Sequence, residues 1–318
     1  MCVIIAVIIR ATAVSSGKED QTFTIYWEND GTFLKPDFRT DRHYTDGLKL
    51  VYTHQPEFEW LKDFGRWNNF ANNDANIATA MGYFVGHNIY TPDDVDLPEE
   101  RDEKDRVFAG WFYGGVFAQR ATNEKMEHFE LNLGVIGPAA RADEVQRFVH
   151  KVVGVSMPSG WDDQINDEFA ADFTWFTRQR ADGLTFKHTP EYDSHLEYGF
   201  TAGSVHRNAA MSIVFRYGFN LPNDFGPGRL EAPACATGRI DNEQKNFYFF
   251  TRIGGRLVEH DRFLTGLREN PAVGLIQVGF AGQYKSFQIS YSQTFLTQEY
   301  REQPGGDSYA SLNMIYRF

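Results

Sequence analysis

Along most of the chain, apolar and polar residues alternate one by one. In Phe23-Thr24-Ile25-Tyr26-Trp27 one face carries Phe, Ile and Trp. From Met126 to Val135, the residues Phe129, Leu131, Leu133 and Val135 alternate with His128, Glu130, Asn132 and Gly134. Ile213, Phe215, Tyr217 and Phe219 alternate with Val214, Arg216, Gly218 and Asn220. Phe287, Ile289 and Tyr291 alternate in the same way with Ser286, Gln288, Ser290 and Ser292. A period of two belongs to a β-strand, whose successive side chains point to opposite faces. The polar face here is too polar to line the core of a soluble β-protein, so each strand has one apolar and one wet side.

The pattern predicts strands near 22–28, 46–54, 76–86, 106–118, 126–136 and 170–180, then near 183–200, 208–219, 246–257, 272–283, 285–296 and 307–318. Asp182-Gly183 reads as a tight hairpin turn, and Pro190 interrupts the segment that follows it. At the C-terminus Ala310, Leu312, Met314, Tyr316 and Phe318 share one face, opposite Ser311, Asn313 and Arg317. A last strand that alternates and ends on an aromatic resembles the closing strand of bacterial outer-membrane proteins. The expected fold is therefore all-β: a transmembrane barrel of about twelve antiparallel strands. Closure follows because no open sheet edge survives in lipid, and single-chain bacterial barrels favour even strand numbers.

One stretch breaks the period. From Arg141 to Val153, the residues Val145, Phe148, Val149, Val152 and Val153 recur at steps of three and four, with Pro138 before and Gly154 after. That is an amphipathic helix, and in a barrel it must sit in a loop or plug the lumen. With no repeat, low-complexity run or linker, residues 22–318 read as one domain.

Composition agrees. Apolar residues make up 42 % of the 318, yet aromatics reach 15 %, with 28 Phe, 15 Tyr and 6 Trp. No run of about 18 apolar residues exists to cross a membrane as a helix, whereas a barrel strand needs only alternate apolar positions. The formal charge of −12 disfavours nucleic acid as a partner, because such binding neutralises phosphates. Cys2 and Cys235 offer neither a structural disulfide nor a thiolate metal site. The apolar run Cys2–Ile9, followed by Ala11-Thr12-Ala13, matches the end of a secretory signal, so residues 1–21 are expected to be an export segment. No basic residue precedes the run, which suits a segment cut short at its start.

Familiar motifs of soluble hydrolases are absent, and no two of the nine histidines fall within four residues, so a local zinc cluster is not expected. Three places offer polar chemistry. Glu28-Asn29-Asp30 ends the first strand with oxygen donors suited to a hard cation, although on composition alone a polar turn accounts for it better. Thr40 to Gly47 leads into the second strand, which places Thr45 beside the Asn29-Asp30 end. On the helix, Asp143, Gln146, Arg147 and His150 form a polar stripe opposite the valines. His150 is suited to act as a general base, although a surface histidine at a helix end is the commoner explanation of such a residue.

Together these segments resemble the outer-membrane lipid A 3′-O-deacylase family. The matching residues are Asn29-Asp30, Asp41-Arg42 with Tyr44-Thr45-x-Gly47, and Asp105-Arg106 with Ala109-Gly110. The match continues through Leu133 to Pro138, Glu144-Val145-Gln146, His150 and Gly160-Trp161-Asp162-x-Gln164. The resemblance covers the chain from residue 22. It implies a twelve-stranded barrel with its site between barrel wall and helix, near the outer leaflet. It also implies calcium-dependent hydrolysis of the ester-linked acyl group at the 3′ position of lipid A. Carried over, His150 would activate water, Asn29 and Thr45 would complete the polar site, and Asp30 would contact Ca²⁺. Arg42 and Arg106 would meet the lipopolysaccharide substrate, and the protein would act as a monomer in the bacterial outer membrane. Two positions depart from the family pattern: its basic loop residue falls near Leu97, and its Glu after the histidine falls near Ser156. Competing expectations are a catalytically silent barrel with a structural, pore or binding role, and an outer-membrane phospholipase with a serine nucleophile.

Overall fold

The computed structural model describes residues 21–30, 41–55, 59–67, 77–93, 95, 104–154, 156–181, 189–236 and 245–318. Twelve antiparallel strands close into a barrel. They are β1 (Gln21–Asn29), β2 (His43–His54), β3 (Ala78–Thr91), β4 (Ala109–Ala121), β5 (Lys125–Ile136) and β6 (Glu168–Arg180), then β7 (Tyr192–Gly203), β8 (His206–Phe219), β9 (Asn246–Asp261), β10 (Ala272–Tyr284), β11 (Phe287–Leu296) and β12 (Ser308–Arg317). Every strand pairs with its neighbours in sequence. The first and last close the ring in a register running from Thr22↔Arg317 to Asn29↔Ala310. Terminal Phe318 extends that seam, its N–H donating to the Gln21 carbonyl at 3.0 Å.

The alternation in sequence becomes an inverted burial pattern. Tyr217 is 67 % exposed while Arg216 beside it is 2 % exposed. Phe169, Phe219, Phe249 and Ile276 likewise face outward, and Lys49, Arg120, Arg178 and Arg252 are buried inside. Apolar residues outside and charges inside make sense when the outer solvent is lipid. Among the described residues no helix is long and apolar enough to cross a membrane, so the crossing belongs to the strands. The described chain starts and ends at one rim, the periplasmic one for such barrels, and the C-terminal ends of β1, β3, β5, β7, β9 and β11 lie at the other.

The structure corrects several boundaries. The strand expected at 183–200 begins only at Tyr192, because Pro190 has no N–H to give to a ladder; its carbonyl instead accepts the Leu221 N–H at 2.9 Å. The Asp182-Gly183 turn lies outside the described residues, as do residues 1–20 of the expected export segment. Gln21, the last residue of that segment, opens β1. A helix not foreseen, α1 (Glu59–Trp67), follows β2 at the periplasmic rim, where the Leu61 carbonyl accepts from Arg120 at 3.4 Å.

The helix expected over 141–153 is present as α2 (Ala142–Val153), in the outer loop after β5. It does not plug the lumen. That is done from the periplasmic side by residues 221–236, which follow β8. Arg216 holds Asp224 at 2.6 Å, Tyr26 accepts the Ala234 N–H at 2.8 Å, and Arg178 and Asn313 donate to the carbonyls of Ala232 and Gly228 at 2.9 and 2.7 Å. Phe225, Leu230 and Ala232 of this segment are buried.

Candidate functional site

The outer ends of β1 and β2 build a polar patch on the lipid side of the wall. Asn29 stands opposite Asp46, on the face that carries Phe23, Ile25 and Trp27 lower down. Its amide donates to the Thr45 carbonyl at 2.9 Å and to Asp46 at 3.4 Å, and the Trp27 indole donates to the same Asp46 oxygen at 2.8 Å. The β2–β3 register slips between Tyr44 and Asp46, so Thr45 is the extra residue of a β-bulge. Bulges re-aim side chains, and here the Thr45 hydroxyl meets that of Thr91 at 2.7 Å. Asp30, buried at the end of β1, donates its N–H to the Thr45 carbonyl at 3.3 Å and accepts the Arg42 N–H on its carboxylate at 2.5 Å.

Helix α2 is laid against this wall from outside. Gly137, at φ 93°, makes a turn whose left-handed conformation favours glycine. The outward-facing His87 then donates to the Ala140 carbonyl at 2.9 Å and pins the turn to β3. Gly110 is the seat: a Cβ there would lie 2.4 Å from the Ala142 Cβ, so only glycine lets the helix approach so closely. Ala142, Ile89, Phe108 and Trp161 pack as one apolar cluster beneath it. The helix thereby turns Ala142, Gln146 and His150, spaced by four, onto the barrel.

A hydrogen-bonded chain runs along that face, and its direction is fixed by chemistry. The Trp161 indole can only donate, and gives to the Gln146 carbonyl oxygen at 2.8 Å. The Gln146 amide nitrogen therefore points to Asp41, donating at 3.1 Å. The same Asp41 oxygen lies 2.6 Å from His150 Nε2. His150 Nδ1 faces the Ser156 carbonyl at 2.5 Å, an acceptor only, so Nδ1 carries a proton. The ring is thus held between a carboxylate oxygen on its Nε2 side and a backbone carbonyl on its Nδ1 side.

His150 and Asp30 are thus joined through the adjacent Asp41 and Arg42, and Asn29 and Thr45 complete the same patch. The two arginines go elsewhere. The Arg42 side chain pairs with Asp93 at 2.6 Å, and Arg106, 2 % exposed, pairs with Glu299 at 2.9 Å on the lumenal side. The position expected for a basic loop residue, Leu97, lies outside the described residues. Asp41 and the Ser156 carbonyl, neither of them among the expected site residues, hold the His150 ring. The signal for Asp41 was its place in the Asp41-Arg42 motif, whereas a backbone carbonyl leaves no sequence signal at all.

Next to the patch, the outer loops are clasped together. The His43 ring lies between Asp307 at 2.8 Å and the Tyr300 hydroxyl at 2.9 Å, and that hydroxyl donates to Asp105 at 2.7 Å. Burial pushes the Asp105 carboxyl up, but hydrogen bonds from His43, the Asp93 N–H and Tyr300 outweigh it and hold it well below the usual carboxylate range.

Among the described residues no group of three or more His, Cys, Asp or Glu side chains forms a ready metal cage. The patch offers the Asp30 carboxylate, the Asn29 side chain and the Thr45 hydroxyl. An all-oxygen set of this kind, mixing a carboxylate with neutral donors, suits a hard cation that keeps several waters, such as calcium, and not zinc.

No curated protein matches the chain in sequence. Among solved structures it superposes on LpxR from Salmonella typhimurium with a TM-score of 0.74 at 22 % identity, covering 93 % of this chain and 100 % of that one. The translocator domain of the autotransporter NalP from Neisseria meningitidis reaches a TM-score of only 0.36 at 9 % identity, over 95 % of this chain and 90 % of that one. The family described as outer membrane protein LpxR matches over residues 1–318, and the chain, a twelve-stranded barrel of the bacterial outer membrane, belongs to that family.

Proposed function

We propose that the protein removes an ester-linked acyl chain from the 3′ position of lipid A, in the outer leaflet, by attack of water activated at His150. The observation that carries this reading is the His150 imidazole, turned inward from α2 and bracketed by Asp41 and the Ser156 carbonyl beside the Asn29-Asp30-Thr45 wall. With Nδ1–H given to Ser156, Nε2 is the nitrogen that takes the proton of the attacking water. Water reaches it when Asp41 yields the position that it holds at 2.6 Å. The imidazolium then formed is paired again with Asp41, and it returns the proton to the departing sugar oxygen. Asp30, with Asn29 and Thr45, would hold calcium; when bound, the ion supplies positive charge to an ester oxygen as it becomes negative.

This scheme needs no serine nucleophile. The nitrogens of His150 face a carboxylate and a backbone carbonyl, which favours activated water over a phospholipase-type pair. The segment 221–236 inside the lumen speaks against an open pore.

The test is the mass of lipid A from a host that carries the protein in its outer membrane, comparing wild type with His150→Ala, each with calcium or with chelator. Loss of the 3′-acyl mass only in calcium-replete wild type is the expected result. Unchanged lipid A from a barrel shown to be folded by heat-modifiable gel mobility would overturn lipid A as the substrate.

A further inference from the structure

Helix α2 is built the wrong way round for water. Its amide and imidazole, Gln146 and His150, are buried, while Val145, Phe148, Val149 and Val152 are between 39 % and 62 % exposed on the opposite face, and Met157 just beyond is 50 % exposed. A helix at an aqueous surface buries its apolar stripe and shows its polar one. The barrel wall has the same inversion, and the two surfaces are continuous. Phe112 pairs with Val135, and Val135 with Phe169, so these three form one outward row; the two phenylalanines are 47 % and 69 % exposed. Gly110, the seat of Ala142, is two residues from Phe112 on the same face, about 7 Å along the strand. The apolar face of α2 therefore begins where the apolar wall ends.

We propose that Val145, Phe148, Val149, Val152 and Met157 seat in the acyl-chain region of the outer leaflet. On this reading α2 is an interfacial helix: Ala142, Gln146 and His150 face the barrel, the apolar strip faces lipid, and the exposed Glu144, Arg147 and Lys151 lie toward the headgroups. Arg147 and Lys151, exposed on the helix, are long enough to lay their stems along this surface and carry their charges to the headgroups. The cleft under α2 then opens sideways into lipid, so a substrate with acyl chains reaches His150 without leaving the membrane. The seat deepens the proposed function, but its test needs no hydrolysis.

The experiment places one spin label at Val149→Cys, with Cys2 and Cys235 changed to Ser, in the full chain reconstituted into vesicles of palmitoyl-oleoyl phosphatidylcholine. Phe148→Cys serves as a second site, Phe112→Cys as the lipid reference and Asp162→Cys as the water reference. Collision rates with oxygen and with a water-soluble nickel complex are read on barrels shown to be folded by gel mobility. The proposal expects nickel access at 148 and 149 to fall to the level at Phe112, with oxygen access kept. Nickel access equal to that at Asp162 would overturn it in favour of a water-facing helix. Spin–spin broadening that disappears on dilution with unlabelled protein would overturn it in favour of a second copy of the chain. A protein that binds lipid in this way yet leaves lipid A intact would sink the proposed reaction and spare the seat.

Discussion

The lumen and the outer wall each bury polar groups, and they use them differently. Inside, charge meets opposite charge. Arg216 is gripped by both oxygens of Asp193, at 2.8 and 2.6 Å, and again by Asp224 from the plug. Lys49 pairs with Glu130 at 2.7 Å, and Arg178 with Glu197 at 2.6 Å. These pairs join strand to strand and strand to plug, and a group held on two or three sides has little freedom to react. On the wall, Asp41 is met by an amide and an imidazole, and Asp30 by a backbone N–H. The acids there meet groups that can exchange a proton or yield to a cation. In this barrel, then, the arginine and lysine pairs mark the scaffold, whereas Asp41 on the wall meets an amide and an imidazole from a helix outside the strands.

The largest effect should separate the two regions outright. His150→Ala removes the proposed base, and ester hydrolysis in proteoliposomes should fall about 10²–10⁴-fold while the urea midpoint of unfolding stays put. Arg216→Met should do the reverse. It removes the cation that bridges Asp193 and Asp224 and leaves Asp193 with the more distant Arg180 at 3.6 Å; breaking a buried pair costs about 3–5 kcal/mol and lowers the urea midpoint, but activity per folded molecule should hold. Loss of activity in the folded lumen variant would break the comparison.

The fold was legible because lipid imposes a period of two on every strand, and residues such as Phe129 to Val135 could take no other arrangement. The even count and the closing strand followed from the same constraint. What the pattern could not show is chain that obeys no period: the 221–236 plug is held by backbone groups such as the carbonyls of Ala232 and Gly228, whose chemistry is the same for every residue type. The site was half legible. Asn29, Asp30, Thr45 and His150 stood out through their motifs, and the structure brings them to one patch. The helix stripe of Gln146 and His150 was visible, but not that it faces inward, because amphipathicity gives two faces and the solvent decides which is buried. Arg42 and Arg106, which the family resemblance sets against the substrate, pair with Asp93 and Glu299, which no local spacing announces.

Two intermediate effects sharpen the comparison by touching the wall site alone. Gly110→Val puts a branched side chain where a Cβ would already lie 2.4 Å from Ala142, so α2 must move off the wall. A displacement near 1 Å at the base should lower kcat about 100-fold, with barrel stability barely changed because the helix lies outside the strands. Asp41→Asn keeps the shape and removes the charge that faces His150 Nε2. Charge-assisted hydrogen bonds contribute about 1.5–3 kcal/mol, so kcat should drop at least about tenfold with KM unaltered. An unchanged kcat would mean that Asp41 does not support the imidazolium.

The smallest effect tests how far the hydrogen-bonded chain reaches. Trp161→Phe keeps a ring packed at a tilt against Phe108, whose centroid is 4.8 Å away, but deletes the N–H that fixes the Gln146 amide. Gln146 is then able to flip and present its oxygen to Asp41, repelling the carboxylate it now holds at 3.1 Å. Loss of one neutral hydrogen bond corresponds to about 0.5–1.5 kcal/mol, so kcat should fall by about two- to tenfold. Gln146→Glu carries the same repulsion permanently and should lower kcat further. If instead both variants matched wild type, the chain would end at Asp41, and the wall site would consist of His150, Asp41 and the β1–β2 oxygens alone.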